Sequence, residues 1–475
     1  MIHLRKTKIV CTIGPSTRSK EMLKKMVKEG MNVARLNTSH DDVEGHRNNI
    51  KTIRQVRDEL KRPVAILVDL AGPKLRTGNF VNDEAKLIKG KEFILTTDSI
   101  KGDENRVSIN YKNLPQELDK GTAILVDDGK IRLKVVGTDN KNVYTRILVG
   151  GTIKNRRGIN IPSVDIGISA ITDKDRDFIK LGVEEDVDYF ALSFVRKPDD
   201  VIKAKKEMEN VGKNIPIISK IETAQALKYI DKIAEVSDGL MVARGDLGVE
   251  IPVERVPIEQ KRIIKQGNHY RIPVITATQM LESMVKNSTP TRAEATDISN
   301  AIIDGTDAIM LSAETSIGSY PLEAIKVMHA TSTFTEEYLT KNQSLTQWTR
   351  THVITDDHTD AICRAAWGIS ENLNIKLIVS STYSGHTARN VSGFRPSSHI
   401  LAVTPNRKTY FQLALVWGVI PLYLTLGDSI DEMVDKAGRK ARELDLLEKG
   451  DSFIITAGVP LGVINTTNIL KLEKA

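Results

Sequence analysis

The chain has 475 residues, 40% of them hydrophobic and 27% charged, with a formal net charge of +7. That length exceeds one ordinary core and predicts roughly two to four domains of a soluble, globular protein. No apolar run reaches the roughly 18 residues of a membrane span, which excludes a helical membrane protein. Aromatics at 5%, with no basic stretch interleaved with stacking residues, speak against nucleic acid. The positive balance is explained by ordinary solubility, with attraction of anionic ligands as the sharper alternative.

The N-terminal segment passes at once into a strand-like run over 9–13, with no signal-peptide pattern ahead of it. Cys11 and Cys363 are the only cysteines and lie far apart, so no disulfide framework is expected and a cytoplasmic location is. Short runs rich in Val and Ile recur at 9–13, 31–36, 64–70, 189–195, 216–221, 239–243, 273–277 and 308–311. Helical stripes separate several of them, such as Met22, Leu23, Met26 and Val27 stopped at Gly30, and Ala295, Ile298 and Ile302 closed by Gly305. Eight strands alternating with helices predict an α/β fold of the (β/α)8 TIM-barrel type, with two doubly wound domains as the competing architecture.

The connection from Leu70 to Tyr189 is far longer than a βα loop needs. It contains strand-like runs at 93–96, 123–126 and 142–147, with a turn at Asp127-Asp128-Gly129-Lys130. A small β-barrel domain is therefore expected over 72–158, inserted after strand three and hanging over the barrel mouth. The barrel takes 1–71 and 159–340. A polar linker is expected over 341–357. A C-terminal α/β domain follows over 355–475, with strands at 376–380, 399–403, 419–424 and 452–456.

Residues at i and i+2 on a strand share a face. Lys220 and Glu222 are so spaced at the end of strand five, and Arg244 and Asp246 at the end of strand six. Neighbouring strands would let Glu222 and Asp246 grip one Mg²⁺ or Mn²⁺, which takes one or two carboxylates and keeps positions for water and substrate. Lys220 would put a cation beside that metal, as a developing enolate or transferring phosphoryl group requires. A single lysine–glutamate pair is also explained as a structural ion pair. Here charged and polar groups recur at other strand ends: Arg35, Asn37 and Ser39, then Asp69, then Thr276 and Thr278, then Ser312 and Glu314. A barrel makes such groups converge.

These residues carry a resemblance. Val33-Ala34-Arg35-Leu36-Asn37-Thr38-Ser39-His40, Gly72-Pro73-Lys74-Leu75-Arg76-Thr77-Gly78, Ile218-Ser219-Lys220-Ile221-Glu222 and Met241-Val242-Ala243-Arg244-Gly245-Asp246-Leu247-Gly248 are similar to motifs of the pyruvate kinases. Ala277-Thr278-Gln279-Met280-Leu281-Glu282-Ser283-Met284, Pro290-Thr291-Arg292-Ala293-Glu294 and Leu311-Ser312-Ala313-Glu314-Thr315 complete a set that spans nearly the whole chain. The resemblance implies transfer of a phosphoryl group from phosphoenolpyruvate to ADP, then protonation of the enolate to pyruvate. It implies Mg²⁺ on Glu222 and Asp246, substrate carboxylate at Gly245, Asp246 and Thr278, and substrate phosphate at Arg35. Lys220 would stabilise the phosphoryl group and enolate. Thr278 and Ser312 would belong to the proton route. Asn37, His40, Arg76 and Arg157 would serve the nucleotide.

In K⁺-dependent members that ion is held by positions matching Asn37, Ser39, Asp69 and the Leu70 carbonyl. Those members carry glutamate where this chain has Lys74, so the resemblance implies a K⁺-independent enzyme whose lysine ammonium replaces the ion, with a Lys74 pointing into solvent as the alternative. Asp41 and Ala313 replace glycines common in the family, and neither removes a reacting group. In the C-terminal domain Thr382, Ser384, Gly385, His386 and Thr387 open a helix where the family holds an effector phosphate. A plain helix cap accounts for the same residues. A homotetramer is implied by resemblance alone. Two rival readings stand beside this one: a metal-dependent pyruvate-enolate aldolase or lyase on the same barrel, which would not need Arg76 and Arg157, and a non-catalytic metabolite sensor.

Overall fold

The computed structural model describes residues 4–162, 164, 166–342, 357–425, 429–459 and 467–475. Eight parallel strands close into a barrel: Lys8–Thr12, Val33–Asn37, Ala65–Leu70, Tyr189–Leu192, Ile217–Ile221, Gly239–Ala243, Val274–Ala277 and Ala308–Leu311. They are strands one to eight here. Lys8 pairs opposite Ala308, which shuts the ring and excludes two doubly wound domains. Parallel strands covered on both faces read as unbroken apolar runs, which is why the sequence exposes them so clearly. One set of side chains, including Val10, Leu67, Ile218, Met241 and Met310, fills the barrel interior. The other set, including Ile9, Leu36, Ile217 and Leu240, packs outward under the helices.

The helices start and stop where their caps dictate. Ser19 accepts from the Met22 N–H to begin Lys20–Glu29, and Gly30 ends it at φ 122°. Thr291 and Glu294 form a capping box that starts Arg292–Ile303.

Between strands three and four the chain builds a β unit on its own core, centred on Phe93, Leu95, Ile124, Leu133 and Val143. Its pairing is not one continuous ring. Glu92–Thr96, Arg106–Ser108, Ala123–Val126, Ile131–Thr138, Asn142–Val149 and Ile159–Asn160 form one sheet, while Glu84–Leu87 and Gly151–Lys154 pair only with each other. Isolated bridges such as Arg76 with Gly158 close the base of this unit.

In the C-terminal part, Leu377–Ser381, His399–Thr404, Val419–Tyr423 and Ser452–Ala457 are parallel. Ile469–Lys474 adds an antiparallel edge. Of the expected linker, 343–356 lies outside the described residues. This part seals the barrel floor, opposite the mouth. Ala414 and Leu415 join the barrel's interior cluster, and Lys8 Nζ donates to the Val419 carbonyl at 2.7 Å. Among the described residues no helix is long and apolar enough to cross a membrane.

Candidate active site

Strand five delivers Lys220 and, one residue past its end, Glu222. Both are buried. Lys220 Nζ lies 2.8 Å from Glu222 Oε1 and 3.3 Å from Asp69 Oδ1, and it donates to Ser193 Oγ at 2.6 Å. The other Glu222 oxygen accepts from the Phe194 backbone N–H at 2.8 Å. Burial works against the charge on Lys220, but Asp69 and Glu222 outweigh it and hold the ammonium well above its ordinary pKa. Burial pushes Glu222 up to about 6; Lys220 opposes that rise and the charge of Asp246 adds to it.

Asp69, at the end of strand three, is shared. Its Oδ2 lies 2.7 Å from both Arg35 Nε and Arg35 Nη2. Arg35 also donates to Thr12 Oγ1 at 2.8 Å. Burial opposes ionisation of Asp69, yet Lys220 and Arg35 overcome it and keep the pKa low. Arg35 and Lys220 therefore form one cationic floor that shares the Asp69 carboxylate, with Glu222 also on Lys220.

The alternation expected for Arg244 and Asp246 fails. Strand six ends at Ala243, and Arg244–Glu250 is a helix. Two positions along a helix point apart rather than together. Arg244 turns to Asp297 at 2.6 Å and to the carbonyls of Ala277 and Thr278. Asp246 stays at the mouth, 3.7 Å from Lys74 Nζ. Thr276 also leaves the set: it is buried and donates to Thr306 Oγ1 at 3.0 Å. Thr278 remains. Its φ is 68°, a left-handed value that costs a β-branched residue on the order of 1–3 kcal/mol and recurs at functional sites. That turn lets Thr278 Oγ1 accept from the Gly245 N–H at 2.9 Å and donate to the Ala277 carbonyl.

Ser312 ends strand eight, beside strand seven in the ring, and its N–H donates to Glu314. Asn37 Oδ1 accepts from the Ser39 N–H at 3.1 Å. Ser39 and His40 are exposed, whereas Leu70 is buried. Arg76 is exposed at the outgoing base of the β unit and donates to the Arg156 carbonyl. Arg157 lies on the returning base, 3.5 Å from Asp127. In the C-terminal part Gly385 (φ 83°) caps helix His386–Gly393. Thr382 and Thr387 are buried there, and Thr387 Oγ1 is 2.7 Å from Thr467 Oγ1. This loop is not brought to the barrel mouth.

Ser193 and Phe194 were not among the sequence candidates, although strands one and four were the two whose ends had supplied none. Their roles come from the turn after Leu192, where Phe194 adopts φ 55°.

The donor set fits Mg²⁺. Glu222 and Asp246 offer two carboxylates, and the Asp246 side chain is 34% exposed, leaving room for water and substrate oxygens. K⁺ fits less well. Its one expected carboxylate, Asp69, already faces Arg35 and Lys220.

The family model for the pyruvate kinase barrel domain matches residues 4–325, and that for the pyruvate kinase alpha/beta domain matches 360–473. A pyruvate kinase of Thermotoga maritima is 50% identical over 472 residues, 99% of this chain and 100% of that protein. One from Staphylococcus saprophyticus is 47% identical over 99% of this chain and 80% of its own length. The crystal structure of a pyruvate kinase from Cryptosporidium parvum superposes with a TM-score of 0.92 at 35% identity, covering 99% of this chain and 96% of that one. The chain belongs to the pyruvate kinase family, the phosphotransferases that pass the phosphoryl group of phosphoenolpyruvate to ADP, giving ATP and pyruvate in the last step of glycolysis.

Proposed function

We propose that the cluster around Lys220 is the phosphoryl-transfer centre, and the observation that carries this is the triple contact of Lys220 with Asp69, Glu222 and Ser193. A buried cation so held needs no reorganisation when charge develops beside it. Lys220 stabilises the moving phosphoryl group and the enolate oxygen. Arg35, fixed by the same carboxylate, binds the substrate phosphate. The Gly245 and Asp246 backbone, with the Thr278 hydroxyl, orients the substrate carboxylate. Glu222 and Asp246 hold Mg²⁺ (or Mn²⁺), which when bound neutralises the substrate's oxygens. Thr278 and Ser312 pass a proton to the enolate carbon through water.

Residues 72–158 act as a lid over the mouth formed by 1–71 and 159–340. Arg76 and Arg157, one on each side of its base, meet the nucleotide phosphates, with Asn37 and His40 beneath. Nucleotide arginines on a lid are what an aldolase or lyase would lack. Lys74 supplies the positive charge that K⁺ supplies elsewhere, and the double pairing of Asp69 supports this.

The 355–475 domain carries the effector loop at Thr382, Ser384, Gly385, His386 and Thr387, for a phosphorylated ligand. Assay of pyruvate formation tests both readings. Pyruvate should require ADP and Mg²⁺ together, and a sugar phosphate or AMP should raise the rate at subsaturating substrate. Indifference to every such effector would remove the effector site, and pyruvate without ADP would favour a lyase.

Exposed Val253 (73%), Ile258 (65%) and Phe334 (74%) support assembly with further copies as a homotetramer. Light scattering at a single-chain mass would refute it. The free, buried Cys11 and Cys363 agree with a cytoplasmic home, for which cell fractionation is the check.

A further inference from the structure

The helix Arg244–Glu250 carries Gly245 and Asp246 near its start, and it is touched from three directions by the inserted β unit. Lys74, on the outgoing base, lies 3.7 Å from Asp246. Asn160, on the returning base, donates its Nδ2 to Glu250 Oε1 at 2.9 Å. Gly129, in the turn between Ala123–Val126 and Ile131–Thr138, sits so that an added Cβ would lie 3.8 Å from Val249. Among the described residues, the far end of this short helix is the one place where a side-chain hydrogen bond ties the returning base to the helix that carries Asp246.

Burial raises the pKa of Glu250, and the Asn160 amide and the nearby Ala224 backbone N–H oppose that rise. Ala224 lies two positions after Glu222, at the start of helix Ala224–Lys228. One carboxylate thus joins the helix with Asp246 to the base of the β unit, beside the segment that follows Glu222. The surroundings are not packed solid. A cavity of about 80 Å³, lined by Lys74, Asn160, Phe194, Thr223 and Glu250 among others, lies beside the pair. It has room for several waters. A hinge that borders a cavity is free to shift, so its position depends on the few polar ties that cross it.

We infer that Glu250 is a positioning residue that seats the inserted domain on the metal-carrying helix, acting through Asn160. It is not one of the residues assigned above to substrate or metal. Its part is to set where Arg76 and Arg157 stand relative to Asp246, and so to define the nucleotide's place. This rests on the reading of 72–158 as the nucleotide-binding lid.

The experiment is a cycle of Asn160→Ala, Glu250→Ala and the double variant, with Glu250→Gln as the conservative control and Arg76→Ala in parallel. Each alanine variant should raise the KM for ADP about two- to tenfold, the scale of one hydrogen bond. The double variant should be no worse than Glu250→Ala, because both changes cut the same tie. Glu250→Gln keeps an acceptor oxygen and should restore the KM. Hydrogen exchange at 72–76 and 157–161 should quicken in the alanine variants and not in Glu250→Gln. Additive effects, or an unmoved KM for ADP in either single variant while Arg76→Ala raises it, would overturn the seating role and leave the lid reading intact. An unmoved KM in Arg76→Ala as well would overturn both.

Discussion

Lys220→Met should lower kcat by about 10²–10³-fold or more, the scale of removing one preorganised charge stabiliser. The expectation follows from where the ammonium sits. It is the common partner of Asp69, Glu222 and Ser193, and it is almost out of water. Methionine has a similar length and no charge. It would remove the ammonium that offsets the charges of Asp69 and Glu222 beside the transferring phosphoryl group. The KM for ADP should change much less, because Arg76 and Arg157 are untouched. Folding must be checked alongside, since breaking a buried ion pair costs on the order of 3–5 kcal/mol. A variant that melts near wild type and turns over at the wild-type rate would end the assignment of Lys220.

The second large effect concerns Lys74. Its ammonium lies 3.7 Å from Asp246, and its stem passes so close to Gly158 that a Cβ there would meet Cε at 2.9 Å. The side chain is thus directed towards Asp246 while staying partly exposed. In buffer free of K⁺ the wild type should be nearly as active as with KCl. Lys74→Glu reverses the charge beside Asp246. Two like charges at this separation repel by up to about 4 kcal/mol at an effective dielectric constant near 20, and less here because both side chains are about a third exposed. The K⁺-free rate should fall at least about tenfold and recover when KCl is added. Strong K⁺ activation of the wild type would defeat the idea that Lys74 replaces the ion.

How much of this was legible depended on which physical signal the residues carry. The eight barrel strands stood out because both of their faces are buried, so they are rich in Val, Ile, Leu and Ala apart from the few polar residues near their ends. Ile131–Thr138 was missed because one face is solvated, and Arg132 and Lys134 break its apolar run. Glu84–Leu87 contains no β-branched residue, and Ile469–Lys474 alternates with Lys471, Glu473 and Lys474 at a sheet edge. Lys220 and Glu222 were readable because an alternation rule applies along strand five and just past its end. The same rule misled at Arg244 because the backbone turns into a helix immediately after Ala243, and nothing in Ala243-Arg244-Gly245-Asp246 marks that change. At Thr276 and Thr278 it failed because the left-handed turn at Thr278 breaks the alternation. Ser193 was hidden because Leu192-Ser193-Phe194-Val195 reads as one strand, whereas the strand stops at Leu192.

The central claim is that Glu222 and Asp246 hold one divalent cation beside Lys220. Mn²⁺ binding followed by electron paramagnetic resonance, with phosphoenolpyruvate present, tests it on the intact chain, Glu222→Gln and Asp246→Asn. Outer-shell changes alone commonly cost about 10–100-fold in metal affinity, so loss of either carboxylate should weaken Mn²⁺ by at least about tenfold. Wild-type Mn²⁺ affinity in either variant would contradict the site.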